Sequence, residues 1–217
     1  FPLVVGAEAA GEIAAVGSAV NSFKPGDRVV MYGALTCGTC KACREGRDNL
    51  CENVGGVMGF HVDGFAREIV TMPERLVIPV PKGVSMRDAA CAPVAYSTVQ
   101  HMLFDNAKLQ PGETILVHAA GSGIGTAAIL MAKAIGCTVI TTVGDDNKIE
   151  KAKAIGADHV INYRTENVAK RVGQLAPDGV NVWWETLREP DFQKTVPLLA
   201  LRGRMIVMAG RDATPEF

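Results

Sequence analysis

Four thiols fall within fifteen residues in Cys37-Gly-Thr-Cys40-Lys-Ala-Cys43-Arg-Glu-Gly-Arg-Asp-Asn-Leu-Cys51. Two residues separate each of the first three from the next, a spacing that lets thiolates close a tetrahedron around zinc where the chain turns tightly. Gly38 and Gly46 supply the turns, and Lys41, Arg44 and Arg47 are placed to offset part of the charge of four thiolates. Disulfides and an iron–sulfur cluster use the same residue type. Disulfides fit poorly, because no secretion-signal pattern opens the sequence and the thiols cluster as metal ligands do. A four-cysteine zinc has no open coordination position, so it would hold a lobe together and do no chemistry. Cys91 and Cys137 sit among apolar residues and read as buried small hydrophobes.

A second stretch, Thr114-Ile-Leu-Val-His-Ala-Ala-Gly-Ser-Gly-Ile-Gly125, runs from an apolar strand into a turn of small residues. Thr126 to Ile135 then reads as a helix. A strand–turn–helix of this kind opens a dinucleotide-binding βαβ unit: the backbone must approach a pyrophosphate closely, and the helix start offers free N–H groups to it. Counted back from Gly125, the first two glycine positions of the usual G-x-G-x-x-G hold Ala120 and Ser122. Both are small, and Ser122 carries a hydroxyl that could serve a phosphate. Ser122, Gly123, Ile124 and Gly125, with Ala120, are therefore the candidate pyrophosphate contacts. A ribose-binding acid is expected about twenty residues on, where Asp145 lies by direct count.

These two stretches need different frames. Residues before about 95 show strand patterns and no helical period until Ser85. Gly11–Gly17, Asp27–Met31, Gly64–Val70 and Leu76–Val80 read as strands, with Pro79 forcing the last to an edge. Ser85 is a helix N-cap, and Thr98–Phe104 a second helix. From Pro111 on, strands and helices alternate. Strands are expected at 138–142, 159–162, 180–185 and 205–209, with helices at 147–155, 166–174 and 190–200 between them. Such alternation implies a parallel, doubly wound sheet. The expected domains are thus 1–95, a small β module carrying the cysteine lobe, and 96–217, the nucleotide unit.

The chain has 217 residues, 48% of them apolar, and a net charge of −1 with both signs interspersed. That supports a substantial core and argues against a nucleic-acid partner. The longest apolar region, 126–143, is broken by Lys133 and Gly136, so no membrane span is expected. The reading favours a reducing, cytoplasmic location.

Taken together, Gly6-Ala-Glu-Ala-Ala-Gly11, Lys24-Pro-Gly-Asp-Arg-Val29, the cysteine lobe, Gly64-Phe-Ala-Arg-Glu68, the nucleotide turn and Gly156-Ala-Asp-His-Val-Ile-Asn-Tyr163 resemble the medium-chain dehydrogenase/reductase family along essentially the whole chain. The resemblance implies a GroES-like β domain, then a Rossmann domain, with the active site in the cleft between. It also implies a fragment, without the family's opening strands and C-terminal return. Zinc-dependent alcohol dehydrogenases of this family carry Gly-His-Glu where this chain has Gly6-Ala7-Glu8, and a second ligand, usually Cys, where this chain has Val94. Neither Ala7 nor Val94 can bind a metal, although a shift of register could bring Cys91 toward the second position. The pattern is similar to the quinone oxidoreductase and enoyl reductase branches, which reduce without a catalytic zinc.

In the family's register, counted back from Gly156, the ribose-acid position falls on Val143 rather than Asp145. A 2′-phosphate is then not repelled. Lys148, at the start of the following helix, can pair with it, and Thr142 is a further candidate cofactor contact. The resemblance places Tyr163 at the border of this pocket, Thr98 near the nicotinamide, and Met208 and Gly210 along its other side. The expected activity is NADP(H)-dependent hydride transfer to a quinone, enone or similar conjugated carbonyl, with a structural zinc. The alternatives are a zinc-dependent alcohol dehydrogenase using NAD(P) and a nucleotide-binding protein without turnover. The expected partner is a small-molecule substrate, and the full-length form is expected to be a homodimer or homotetramer. His61, His101, His118, Glu8, Asp27 and Trp183-Trp184-Glu185 read as packing or turn residues.

Overall fold

The computed structural model describes residues 2–208. The chain forms two compact units, divided between Val94 and Ala95.

In the first unit, β1 (Ala10–Glu12), β2 (Arg28–Met31) and β3 (Val77–Pro79) make an antiparallel sheet in the order β1-β2-β3. Pro79 lies on an edge strand, where its missing N–H breaks no ladder. Asp27 closes the preceding turn, its carboxylate accepting the Lys24 N–H at 2.9 Å. α1 (Lys41–Arg44) is a single turn inside the cysteine lobe. α2 (Met86–Ala90) begins at Ser85, whose hydroxyl accepts the Asp88 N–H at 3.0 Å. The strand expected over Gly11–Gly17 ends at Glu12. The strand expected over Gly64–Val70 does not form. Gly64, Phe65 and Ala66 instead bond irregularly to the carbonyls of Val4, Gly6 and Val5. The approach is close enough that a Cβ on Gly64 would stand 2.2 Å from the Gly6 carbonyl oxygen, which is why glycine is needed there.

The second unit opens within a helical stretch, 92–106, in which α3 (Ser97–Val99) is flanked by wider turns. At its end the Ala107 N–H reaches back five residues to Met102. β4 (Thr114–Val117), α4 (Gly123–Ala134), β5 (Thr138–Val143), α5 (Ile149–Ala154), β6 (His159–Asn162), α6 (Val168–Leu175) and β7 (Val180–Glu185) follow in alternation. The helix expected over 190–200 shrinks to α7 (Phe192–Thr195) and one 3₁₀ turn. Leu199 already belongs to β8 (Leu199–Val207), because Pro197 and the apolar run after it favour the strand.

The five strands are parallel, in the order β6-β5-β4-β7-β8. Period-two alternation divides their side chains between two cores. Ile115, Val117, Val139, Val182 and Trp184 pack under α4, and Leu116, Ile140, Ile161, Val180 and Trp183 pack under α6. From β4 the chain winds outward through β5 to β6, then returns to β7 on β4's other side. The carboxyl ends of β4 and β7 therefore flank the switch point where such sheets bind ligands. No helix among the described residues is long and apolar enough to cross a membrane.

Candidate functional site

The sulfurs of Cys37, Cys40, Cys43 and Cys51 all lie within 4.8 Å of one another. Four Zn–S bonds of ~2.3 Å in a tetrahedron would set the sulfurs about 3.8 Å apart, so a modest contraction closes the site. Gly38 and Gly46 turn the chain at φ +72° and +71°, a region that favours glycine. Backbone amides aim at the sulfurs: Thr39 and Cys40 donate to the Cys37 sulfur at 3.4 and 3.3 Å, and Cys37 donates to that of Cys51 at 3.3 Å. The Thr39 and Cys40 amides draw the Cys37 thiol down to about 5. Desolvation pushes Cys43 up to about 12. Thiols so close cannot all ionise without a cation among them, and the donor set fits zinc. Lys41 and Arg47 both pair with Glu45. The cation packed on the lobe is Arg75, whose guanidinium lies against Gly38 and donates to the Thr36 carbonyl. Sequence reasoning missed it.

The nucleotide turn is held from below. Ala119 is left-handed at φ +56°. Its N–H donates to the Thr142 hydroxyl at 3.0 Å, and the Ala120 N–H donates to the Thr142 carbonyl at 2.9 Å. The Ser122 hydroxyl accepts the Gly125 N–H and donates to the Ala119 carbonyl, both at 2.9 Å. A Cβ on Gly125 would stand 2.2 Å from that carbonyl oxygen, so only glycine fits. These bonds engage three of the candidate contacts. Ser122 caps α4 with its hydroxyl, whose hydrogen goes to the Ala119 carbonyl. Gly125 gives its N–H to that cap. Thr142 is 2% exposed, buried beneath the turn. Ala120 is likewise buried. The N–H groups of Gly121, Gly123 and Ile124 have no protein acceptor among the described residues. At the start of a twelve-residue helix they fit a pyrophosphate. Gly121 was not among the expected contacts, though the run of small residues contained it.

Beyond the turn, Val143, the expected ribose-acid position, is buried. Asp145 is turned back onto the Asn147 N–H at 3.0 Å, and Asp146 accepts from the Asn162 side chain at 2.6 Å. The Tyr163 ring lies over Gly144, where a Cβ would stand 2.4 Å from its hydroxyl. Lys148 reaches across to Gly121 and lines a cavity of about 320 Å³ with Thr126 and Lys151.

At the switch point, His118 Nε2 lies 3.6 Å from a Glu185 carboxylate oxygen. Glu185 also accepts the Leu187 N–H at 2.8 Å and the Trp183 indole N–H at 3.2 Å. His118 meets the Trp183 ring edge-on. The Met208 N–H donates to the Glu185 carbonyl at 2.9 Å, which places Met208 beside this pair. Gly210 lies outside the described residues. Thr98 is half-buried on α3, and neighbouring Ala95 approaches Gly123. His101 pairs with Asp105 at 3.5 Å, and His61 accepts the Val57 N–H at 3.2 Å. Cys137 is buried as expected, but Cys91 is exposed at the end of α2. In the first unit a Glu8 carboxylate oxygen accepts the Val94 N–H at 2.9 Å, so the segments carrying Ala7 and Val94 meet.

The model of the alcohol dehydrogenase GroES-like domain matches residues 1–82, and that of the zinc-binding dehydrogenases matches residues 123–217. The chain is 38% identical to sorbitol dehydrogenase of Bacillus subtilis, over all of this chain and 61% of that protein. It is 33% identical to acryloyl-coenzyme A reductase of Metallosphaera sedula, over all of this chain and 63% of that protein. The chain thus spans about six tenths of the length of these relatives. Among solved structures, an NAD-dependent alcohol dehydrogenase superposes with a TM-score of 0.87 at 37% identity, covering 97% of this chain and 61% of that one. With a GroES-like unit, a parallel-sheet Rossmann unit and these relatives, the chain belongs to the zinc-type medium-chain dehydrogenase/reductase family.

Proposed function

We propose that this chain is the greater part of an NADPH-dependent reductase of quinones, enones or similar conjugated carbonyls, with a structural zinc and no catalytic one. The observation that carries this reading is the pair Ala7 and Val94. Their segments meet through the Glu8–Val94 bond, and neither side chain has a lone pair to give a cation. A catalytic zinc takes three protein ligands and an open position. Among the described residues, the one group of three or more such side chains close enough to share an ion is the cysteine lobe.

When bound, the nicotinamide supplies the hydride. The chain's own residues then bind, orient and exclude water. Gly121, Gly123 and Ile124 offer N–H groups to the pyrophosphate. With Val143 at the acid position, a 2′-phosphate meets no carboxylate there, and Lys148 supplies the cation for it. Tyr163, packed on Gly144, borders that position. Thr98 and Met208 flank the nicotinamide. The substrate is a small molecule, the setting is cytoplasmic, and the full-length protein is a homodimer or homotetramer.

The likeness to a sorbitol dehydrogenase favours a second reading, a zinc-dependent alcohol dehydrogenase using NAD(P). Metal analysis and rapid-mixing absorbance separate the two. One zinc per chain, with NADPH oxidised by a quinone or enone, supports the reductase. Two zinc ions with alcohol oxidation support the second reading. Bound NADPH that keeps its absorbance with every acceptor means a nucleotide-binding protein without turnover.

A further inference from the structure

Ala119 is the residue on which the nucleotide turn pivots, and its backbone is in the left-handed region at φ +56°. An alanine there is disfavoured, because its Cβ crowds the following carbonyl. Such a conformation persists only where its surroundings impose it. Thr142 and Ser122 are the neighbours that impose it. Thr142 accepts the Ala119 N–H on its hydroxyl at 3.0 Å and the Ala120 N–H on its carbonyl at 2.9 Å. One residue of β5 thus grips two successive amides of the turn. From above, the Ser122 hydroxyl holds the Ala119 carbonyl at 2.9 Å. The result is that the next N–H groups, on Gly121, Gly123 and Ile124, are left with no protein acceptor among the described residues.

We infer that Thr142 is a positioning residue for dinucleotide binding: its hydroxyl holds Ala119 left-handed, and this aims the open N–H groups of the turn at the pyrophosphate. The inference rests on the reading of this turn as the pyrophosphate site. Thr142 is 2% exposed and acts through Ala119, not by touching the ligand.

Three properties distinguish this role from simple core packing. Thr142→Val keeps the shape and removes the acceptor, so NADPH should bind about tenfold more weakly, the worth of one hydrogen bond. Thr142→Ser keeps the acceptor and should bind NADPH as the unsubstituted protein does. Glycine takes a left-handed backbone without strain, so in an Ala119→Gly background Thr142→Val should cost less than about threefold.

The experiment is calorimetric titration of the protein and these variants with NADPH and with adenosine 2′-monophosphate, which carries the 2′-phosphate and no pyrophosphate. Loss for NADPH alone, rescued by serine and by Ala119→Gly, is the expected result. Equal loss for both ligands, or an undiminished loss in the glycine background, would overturn the inference. So would unchanged NADPH affinity in Thr142→Val. Failure of the unsubstituted protein to bind either NADPH or NADH would overturn the nucleotide reading and the inference together.

Discussion

The cysteine lobe and the nucleotide turn are both short loops with glycines at their sharpest points, yet they are fixed by different means. In the lobe, regular structure is limited to α1 and one 3₁₀ turn, and the single buried residue of α1 is Ala42. What converges there is four sulfurs, and convergence without a cation is electrostatically costly. The turn, by contrast, is bolted to a parallel sheet. Thr142 on β5 holds it from below, Gly125 lets α4 press against Ala119, and strands 0–2% exposed surround its base. The lobe's shape should therefore depend on its ligand, and the turn's shape should precede its ligand.

The largest effect that tests this contrast is removal of the metal. A structural zinc contributes on the order of 10 kcal/mol to the folding of a small site. Cys40→Ser should release the zinc. Amide exchange over residues 37–51 should rise to that of an open loop, while β4 to β8 keep their protection. Retained protection in the metal-free lobe would end the distinction between the two regions. Next in size is Gly125→Ala. The added Cβ would stand 2.2 Å from the Ala119 carbonyl oxygen, and both atoms belong to backbone that the sheet holds. The cost should be about 3 kcal/mol, which for a chain of this size lowers Tm by roughly 10 °C. An unchanged Tm would show the turn to be as pliable as the lobe.

The same contrast explains what the sequence disclosed. Both loops are local motifs, so ligand spacing revealed one and the strand–turn–helix order revealed the other. β6 and β7 fall where their apolar runs end, because a buried parallel strand is continuous in sequence. The contacts that position those motifs were not legible. Thr142 meets Ala119 across 23 residues and Arg75 meets Thr36 across 39, and neither side chain's type announces its partner. His118 and Glu185 come together only because the sheet order sets β7 beside β4. Gly64–Val70 misled for the opposite reason. Its alternation suits a strand, but its glycine lies so close to Gly6 that the pairing is irregular.

A test of intermediate size concerns the pair at the switch point. Burial alone would raise Glu185, but His118, the Leu187 N–H and the Trp183 indole outweigh it and hold the carboxyl below its usual 4.5. A carboxylate lowered on folding stabilises the protein fully above its ordinary value, and that contribution fades as pH falls through the folded value. Glu185→Gln should therefore cost about 2 kcal/mol at neutral pH. The Tm gap between it and the unsubstituted protein should close as pH drops below 4.5. A gap independent of pH would mean that the Glu185 carboxylate does not brace the site.

Lys148→Ala addresses the nucleotide rather than the frame. Loss of a charge-assisted bond to a 2′-phosphate is worth about 1.5 kcal/mol, slightly more than tenfold in affinity. The loss should appear for NADPH and be absent for NADH, with Tm unmoved, because Lys148 is exposed. Equal losses for both nucleotides would remove the 2′-phosphate assignment and leave the turn's own geometry intact.

The smallest effect separates frame from contact at a single atom. Ser122 was expected to serve the ligand, and in the structure its hydroxyl serves α4 and the Ala119 carbonyl. A lost N-cap costs ~1 kcal/mol when the replacement is alanine and only a few tenths when it is glycine. Stability should therefore fall further in Ser122→Ala than in Ser122→Gly, as thermal unfolding of the ligand-free protein would show. Were the hydroxyl a phosphate donor instead, both variants would lose NADPH affinity alike, since both remove it. Matched affinity losses with little change in ligand-free stability would move Ser122 from the frame to the contact surface. The turn would then take part of its shape from the ligand, as the lobe does from its metal.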